Sequence, residues 1–254
     1  TNVGSYTVIV TLDNNHVWAE GIDGKITWSI EKAQATITVD TNDINVIYGD
    51  TITLPEGTTN FGEVVVTKVD MINVGEYKVT YGVASTNNYD GDTKEVKVII
   101  SPLAVSEPTL KGTYTYTGNE QTVELNGLES FMTIASGNKQ TNAGSYEVVI
   151  TLDENHVWKE GSDGKIAWSI AKATMTSSQI IVTAYSGTYD GSAHSATIKS
   201  TIAGVTIVSG DTTNYGNSIA SSATANTVYD LKPSRTAQGT TTVYYKVSKA
   251  NYND

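Results

Sequence analysis

The chain has 254 residues, with 16 Lys and Arg against 27 Asp and Glu, giving a net charge of −11 at pH 7 and a pI near 4.7. That excess of acid repels phosphate backbones and anionic lipid headgroups, which argues against nucleic acid and against an electrostatic membrane partner. The absence of Cys excludes disulfides, thiolate metal sites and cysteine nucleophiles, and no apolar run reaches the roughly 20 residues of a spanning helix, so no membrane insertion is expected in this fragment.

Fifteen Tyr against two Phe, with many Thr and Val, suit strands that have one wet and one buried face. Residues 1–33 open with a strand in which Tyr6, Val8, Val10 and Leu12 alternate with polar positions. A loop, NHVWAEG, carries His16 and Trp18, and the Asp23-Gly24 turn leads into a last strand where Trp28 alternates with Ile26 and Ile30 as core. Next comes a Tyr48-Gly49-Asp50 turn, a strand starting at Gly75, an Asn87-Asn88-Tyr89-Asp90 stretch and a final strand over 95–100. A Tyr116-Thr117-Gly118 turn follows, and residues 141–173 then repeat residues 1–33 without a gap at about 24 of 33 positions. In that copy Tyr146, Val148, Ile150 and Leu152 form the inner face, while Glu147 replaces Thr7 on the outer one. His156 and Trp158 repeat the NHVW loop, Asp163-Gly164 repeats the turn, and Trp168 sits between Ile166 and Ile170. The last stretch has a Tyr189-Asp190-Gly191 turn, a strand starting at Gly239 and a terminal Asn251-Tyr252-Asn253-Asp254.

These marks divide the chain into the C-terminal half of a β-repeat at 1–33, whole β-repeats at 34–102 and 103–173, and a β-repeat at 174–254 that lacks its last strand. Residues 30–33 and 170–173 run straight towards the next first strand, with no Gly/Ser spacer, so rotation at the joints is limited. The fold class expected is all-β: tandem small antiparallel β-sandwich modules, with β-grasp modules as the alternative. The two incomplete ends leave unpaired edges, from which head-to-tail self-association through the end modules is expected.

The order of Tyr-x-Gly turn, Gly-x-Tyr-x-Val strand, Asn-Tyr stretch and final strand resembles the tandem MBG and YDG-type repeats of bacterial cell-surface proteins, which are related by description to mucin-binding proteins. Tyr48-Gly49-Asp50 looks like the YGX subtype, Tyr189-Asp190-Gly191 followed by Ser192, Ala193 and His194 looks like the YDG form, and Tyr116-Thr117-Gly118 departs from both. The resemblance covers nearly the whole chain. It implies Ig-like modules in an extracellular adhesin or stalk at the cell surface or cell wall, with signal and anchor outside this fragment.

Catalytic chemistry finds no footing in the residues. Asp190, Ser192 and His194 supply the residue types of a hydrolase triad, but within one turn, whereas triads converge from separated segments. There are only three His, no G-x-S-x-G elbow, no phosphate-binding Gly loop and no H-E-x-x-H, so no enzyme and no cofactor are expected. Asn88, Asp90 and Asp92 alternate as calcium ligands do, but Thr93 and Ile99 stand where an EF-hand loop has Gly and Glu, and Asp153, Glu154, Glu160 and Asp163 make a second acidic loop; no metal site is assigned. The flat rings and polar neighbours of Trp158, His156, Trp18 and His16 are the candidate glycan contacts. The function expected is a non-catalytic extracellular repeat region serving as stalk or spacer of a bacterial surface adhesin. Its alternative is an adhesin module that binds host glycan or protein.

Overall fold

The computed structural model describes residues 2–254, and every regular element among them is a β-strand. The chain is all-β, built of several small sheets. It divides into two compact units: Thr1–Ser106 with Leu152–Gly161, and Glu107–Thr151 with Ser162–Asp254.

In the first unit a four-stranded sheet runs in the order Ile44–Ile47, Asp92–Ser101, Gly75–Val83, Val65–Thr67. Asp92–Ser101 is antiparallel to Gly75–Val83, with Val98 opposite Tyr77 and Ile100 opposite Gly75, and parallel to Ile44–Ile47, with Ile100 beside Val46. The period of two does the sorting: Val79, Tyr81, Val83, Val96, Val98 and Ile100 are buried, and Ala35 and Ile37, the latter in the ladder of Ile37–Thr38 with Thr58–Thr59, pack with them. The outer face carries cross-strand pairs, Lys78 with Glu95 and Lys97 with Glu76, each at 2.9 Å. Burial pushes the Tyr81 phenol pKa up, and its hydroxyl donates to the Pro55 carbonyl at 2.6 Å, so the polar tip is satisfied inside the core.

Residues 1–33 contribute one hairpin to this unit, Gly4–Ile9 against Lys25–Ile30, with Tyr6 opposite Trp28. Its Trp28 differs from the core role expected of it. Trp28 is 46% exposed and Val8 50% exposed, against 3% and 0% for the equivalent Trp168 and Val148. The hairpin alternates correctly but, among the described residues, no second layer covers its apolar face, and Tyr6 stacks on Trp28 at 4.8 Å.

The second unit repeats the sheet: Tyr114–Thr115, Lys165–Ala171, Gly144–Leu152, Met132–Ser136. Its register is the same, with Ile170 opposite Gly144 and beside Tyr114, and Trp168 opposite Tyr146. Val123, Val148, Trp168 and Ile170 form the core, with Tyr114, Tyr146 and Ile134 packed on it. The Trp168 indole N–H donates to the Gly137 carbonyl at 3.0 Å. Residues 174–254 form two three-stranded sheets, Ile180–Thr183, Thr197–Ser200, Val228–Asp230 and Asn217–Ala223, Val205–Gly210, Tyr244–Ser248. Ile198, Val205, Ile207, Ala223, Leu231 and Val247 are buried together in that stretch.

Candidate functional site

The most highly repeated constellation in the molecule is an asparagine joint between successive repeats. It is assembled from two local motifs. The first is Asn-(Val/Ala)-Gly-x-Tyr, at residues 2–6, 73–77 and 142–146, where the chain enters a long strand. In each copy the Tyr hydroxyl donates to the carbonyl of the Asn four residues earlier: Tyr6 to Asn2 at 2.5 Å, Tyr77 to Asn73 at 2.8 Å and Tyr146 to Asn142 at 2.7 Å. The extended Gly-x-Tyr backbone folds the ring back over the glycine, and the phenol fixes the position of the strand entry.

The second motif is a single Asn just before a short parallel ladder: Asn88 before Tyr89–Asp90, Asn155 before His156–Trp158 and Asn251 before Tyr252–Asn253. Each of these strands pairs with the residues at the boundary that opens its own repeat, Ala33–Gln34, Leu103–Val105 and Ala173–Thr174 respectively. The Asn itself faces the preceding repeat. Asn88 Oδ1 accepts the Val3 N–H at 3.1 Å, Asn155 Oδ1 accepts that of Val74 at 2.8 Å, and Asn251 Oδ1 accepts that of Ala143 at 2.9 Å. The side-chain amides donate to Asn2, Asn73 and Asn142 Oδ1 at 3.3, 3.1 and 2.9 Å. The backbone carbonyls of Asn88, Asn155 and Asn251 accept the N–H groups of Ala33, Leu103 and Ala173, all at 3.0 Å. One residue thus ties the end of one repeat, the start of the next and its own loop, using both ends of an amide that only Asn offers at this length.

Asn155 is buried in this arrangement, and the segment holding it, Leu152–Gly161, belongs to the first unit together with Asn73 and Val74. The joints at Asn88 and Asn251 likewise lie within the first and second units respectively. No buried side-chain nitrogen or oxygen is left unpartnered among the described residues.

The four residues expected to contact glycan fall into two different environments. His156 and Trp158 lie in the paired strand, Leu103 beside His156 and Val105 beside Trp158, and not in a loop. The His156 side chain is 7% exposed, its Nδ1 is 2.6 Å from Asp153 Oδ1, and its ring meets Tyr48 edge-on at 5.3 Å. His16 and Trp18 carry the same local sequence but have no strand partner among the described residues; the His16 side chain is 69% exposed and keeps the local Asp13 contact, at 2.5 Å, while Trp18 folds over Gly24. In both copies the histidine hydrogen bond, helped by backbone N–H donors, holds the aspartate carboxyl below its usual pKa.

Asp190, Ser192 and His194 do come together, but not as a nucleophile and its base. His194 Nε2 lies 2.9 Å from Asp190 Oδ1 and 3.2 Å from the Tyr185 hydroxyl, and the ring stacks flat on Tyr185 at 3.9 Å. Asp190 also accepts the Ser192 N–H at 2.8 Å, the contact of an Asx turn, and its pKa is lowered chiefly by His194. The acidic stretch at 88–92 is spent on structure: Asn88 in the joint, Asp90 on Lys32 at 3.1 Å and Asp92 on the Ile37 N–H at 2.8 Å. Asp153 is held by His156, and Asp163 caps the Lys165 N–H at 3.0 Å. Among the described residues no group of three or more His, Asp or Glu is placed to hold a metal ion.

Sequence reasoning marked the Asn-Tyr stretches at 87–90 and 251–254 but not Asn155, whose successor is His156, nor the partner residues Asn2, Asn73 and Asn142. The signal that finds them is the threefold Asn-(Val/Ala)-Gly-x-Tyr, in which the Asn recurs along with the Gly and Tyr already noted. A scan against protein-family models and a search of the curated proteins return no match for the chain.

Proposed function

We propose that this chain is a non-catalytic extracellular repeat region that acts as stalk or spacer of a bacterial surface adhesin, its repeats being Ig-like β-sandwich modules of the MBG/YDG type. The observation that carries this reading is the asparagine joint, the same set of hydrogen bonds at three successive repeat boundaries. A net gain of about 0.5–1.5 kcal/mol per hydrogen bond makes the two side-chain bonds that cross each boundary worth about 1–3 kcal/mol together, a few times thermal energy. Such a joint stays closed and limits rotation between neighbours, which is what a spacer requires and an enzyme does not. The acidic, Thr- and Tyr-rich exterior keeps the array soluble.

Nuclear spin relaxation on the full chain tests the stiffness. Residues 103–173 and 174–254 should tumble with one correlation time, and Asn251→Ala should let them separate. Independent tumbling of the unaltered repeats would remove the spacer reading.

The second reading, an adhesin module for host glycan or protein, is favoured by one feature, the exposed His16 and Trp18 pair. Screening the full chain and its Trp18→Ala variant on glycan and host-matrix arrays separates the two. Binding that the substitution abolishes would assign the protein to recognition, whereas no binding at all favours the spacer.

A further inference from the structure

Val64 and Met71 pack against the core of the first four-stranded sheet, and the chain between them stands out from it. Residues 65–70 are all exposed, as is Ile72 beyond them. Val65 and Val69 are each 62% exposed and Ile72 is 68% exposed. Val65–Thr67 is the last strand of its sheet and pairs along one side, with Val65 opposite Gly82 and Thr67 opposite Thr80. A free edge lined with valine is what folded sheets usually avoid, by a bulge, a Pro or a covering loop.

The other whole repeat closes the same place. Counted back from the shared Asn-(Val/Ala)-Gly-x-Tyr entry, Val65, Val66, Val69 and Ile72 correspond to Ile134, Ala135, Asn138 and Thr141. There Lys139–Gln140 pairs with Gln121–Thr122, the Asn138 carbonyl accepts the Val123 N–H at 2.8 Å, and Lys139 meets Glu120 at 3.4 Å. In residues 34–102 that ladder is missing, because residues 68–72 belong to no strand. Lys68 and Asp70 join no ion pair within the chain among the described residues, unlike Lys78 and Lys97 on the neighbouring strands. The open edge therefore lies in the interior of the chain, within a whole repeat.

We propose that this edge docks a second copy of the same chain, residues 66–72 of one copy pairing antiparallel with residues 66–72 of the other about a two-fold axis at Val69. In that register Lys68 of each copy faces Asp70 of the other, Val66 faces Ile72, and the two Val69 side chains meet. Charge selects the occupant. A chain of net charge −11 repels its own copies over most of its surface, whereas this edge is self-complementary, its one cation and one anion being spaced symmetrically about a valine. The free side of Val65–Thr67 supplies backbone N–H and C=O groups from which the new ladder grows. One short strand pair makes a contact at the small end of specific interfaces, so the dimer is weak and reversible. The proposal stands independently of the stalk role.

Sedimentation of the full chain at rising concentration tests it. The unaltered chain should dimerise at millimolar concentration. Lys68→Asp and Asp70→Lys should each weaken the dimer by about tenfold, because either one sets like charges opposite each other at both ends of the contact. Asp70→Lys is the sharper variant: it lowers the net negative charge, so general repulsion alone would make it associate more tightly. The double variant Lys68→Asp/Asp70→Lys and an equal mixture of the two single variants should both recover the original association, and that recovery also shows the single variants to be folded. Hydrogen exchange at residues 65–72 should slow with concentration in the same order. A chain that stays monomeric at millimolar concentration, a dimer indifferent to both single variants, or losses that neither the double variant nor the mixture recovers would overturn the proposal.

Discussion

At the scale of single residues, the joint asparagines and their unpaired counterpart make a matched comparison. Asn15 occupies in residues 1–33 the place of Asn155 in residues 141–173, yet makes none of the joint contacts. Asn155→Ala removes both bonds of a buried side chain, to the half-buried Val74 N–H and to Asn73 Oδ1, and should cost about 1–3 kcal/mol. Asn15→Ala should change stability by less than about 0.5 kcal/mol. Denaturant titration of the two variants checks the contrast. Acid should act through Asp153. Its folded pKa is depressed below the ordinary value of about 3.9, so its contribution is complete above that value and disappears as pH falls through the lower folded pKa. Asp153→Asn should therefore flatten the stability profile below about pH 4; an unchanged acid limb would show that the His156 contact does not differ between folded and unfolded chains. Much of this was hidden in the sequence because Asn is a common turn residue, and Asn88, Asn155 and Asn251 read as turns until their partners, 82 to 109 positions away, are known.

Strands and turns show how far local pattern carries. Alternation correctly assigned Trp168, Ile170, Val148 and Ile150 to the buried face, and the same alternation assigned Trp28 to a core that its hairpin lacks among the described residues. Pattern states which side of a strand is apolar, while burial needs a second layer that periodicity does not contain. Trp168→Ala should destabilise by about 3–5 kcal/mol, since it empties a core and removes the Gly137 bond, whereas Trp28→Ala should cost less than about 1 kcal/mol. Thermal unfolding of the two variants would measure this, and similar losses would mean that the hairpin is covered in solution. The 156–158 segment makes the complementary case: the NHVW sequence is irregular at 15–18 and partly a strand at His156–Trp158, because only the second copy follows a partner, Leu103–Val105. A turn can be equally demanding. At Gly137, with φ of +79°, an added Cβ would come within 1.9 Å of the Glu147 carbonyl, so Gly137→Ala should destabilise the Gly144–Leu152 sheet severely, with loss of the Trp168 fluorescence signature as the readout.

For the molecule as a whole, the all-β class was legible in the sequence, because Gly, Asn and Asp turns bound short alternating runs rich in Tyr, Thr and Val. Which surfaces meet at each boundary was not, since a contact between repeats leaves no periodic trace in either one. The joints give that contact an energetic form: neighbours share hydrogen bonds, so each stabilises the next. Asn251→Ala should uncouple residues 174–254 from residues 103–173, converting a shared unfolding transition into two resolved by calorimetry. Retention of one transition would place the coupling elsewhere in that unit.

The joint's two motifs also bear on how such a chain can change length over evolutionary time. The two whole repeats each carry an Asn-(Val/Ala)-Gly-x-Tyr entry for the repeat after it, whereas the equivalent residues 237–241 of the following repeat read Ala-Gln-Gly-Thr-Thr. Duplication or loss of a block such as residues 34–102 would bring together the same two motifs at the new seam, so the interface chemistry is already written on both sides of the crossover. A copy inserted after residues 174–254 would meet neither the Asn nor the Tyr. The grammar of the joint therefore permits growth at the three boundaries that carry both motifs.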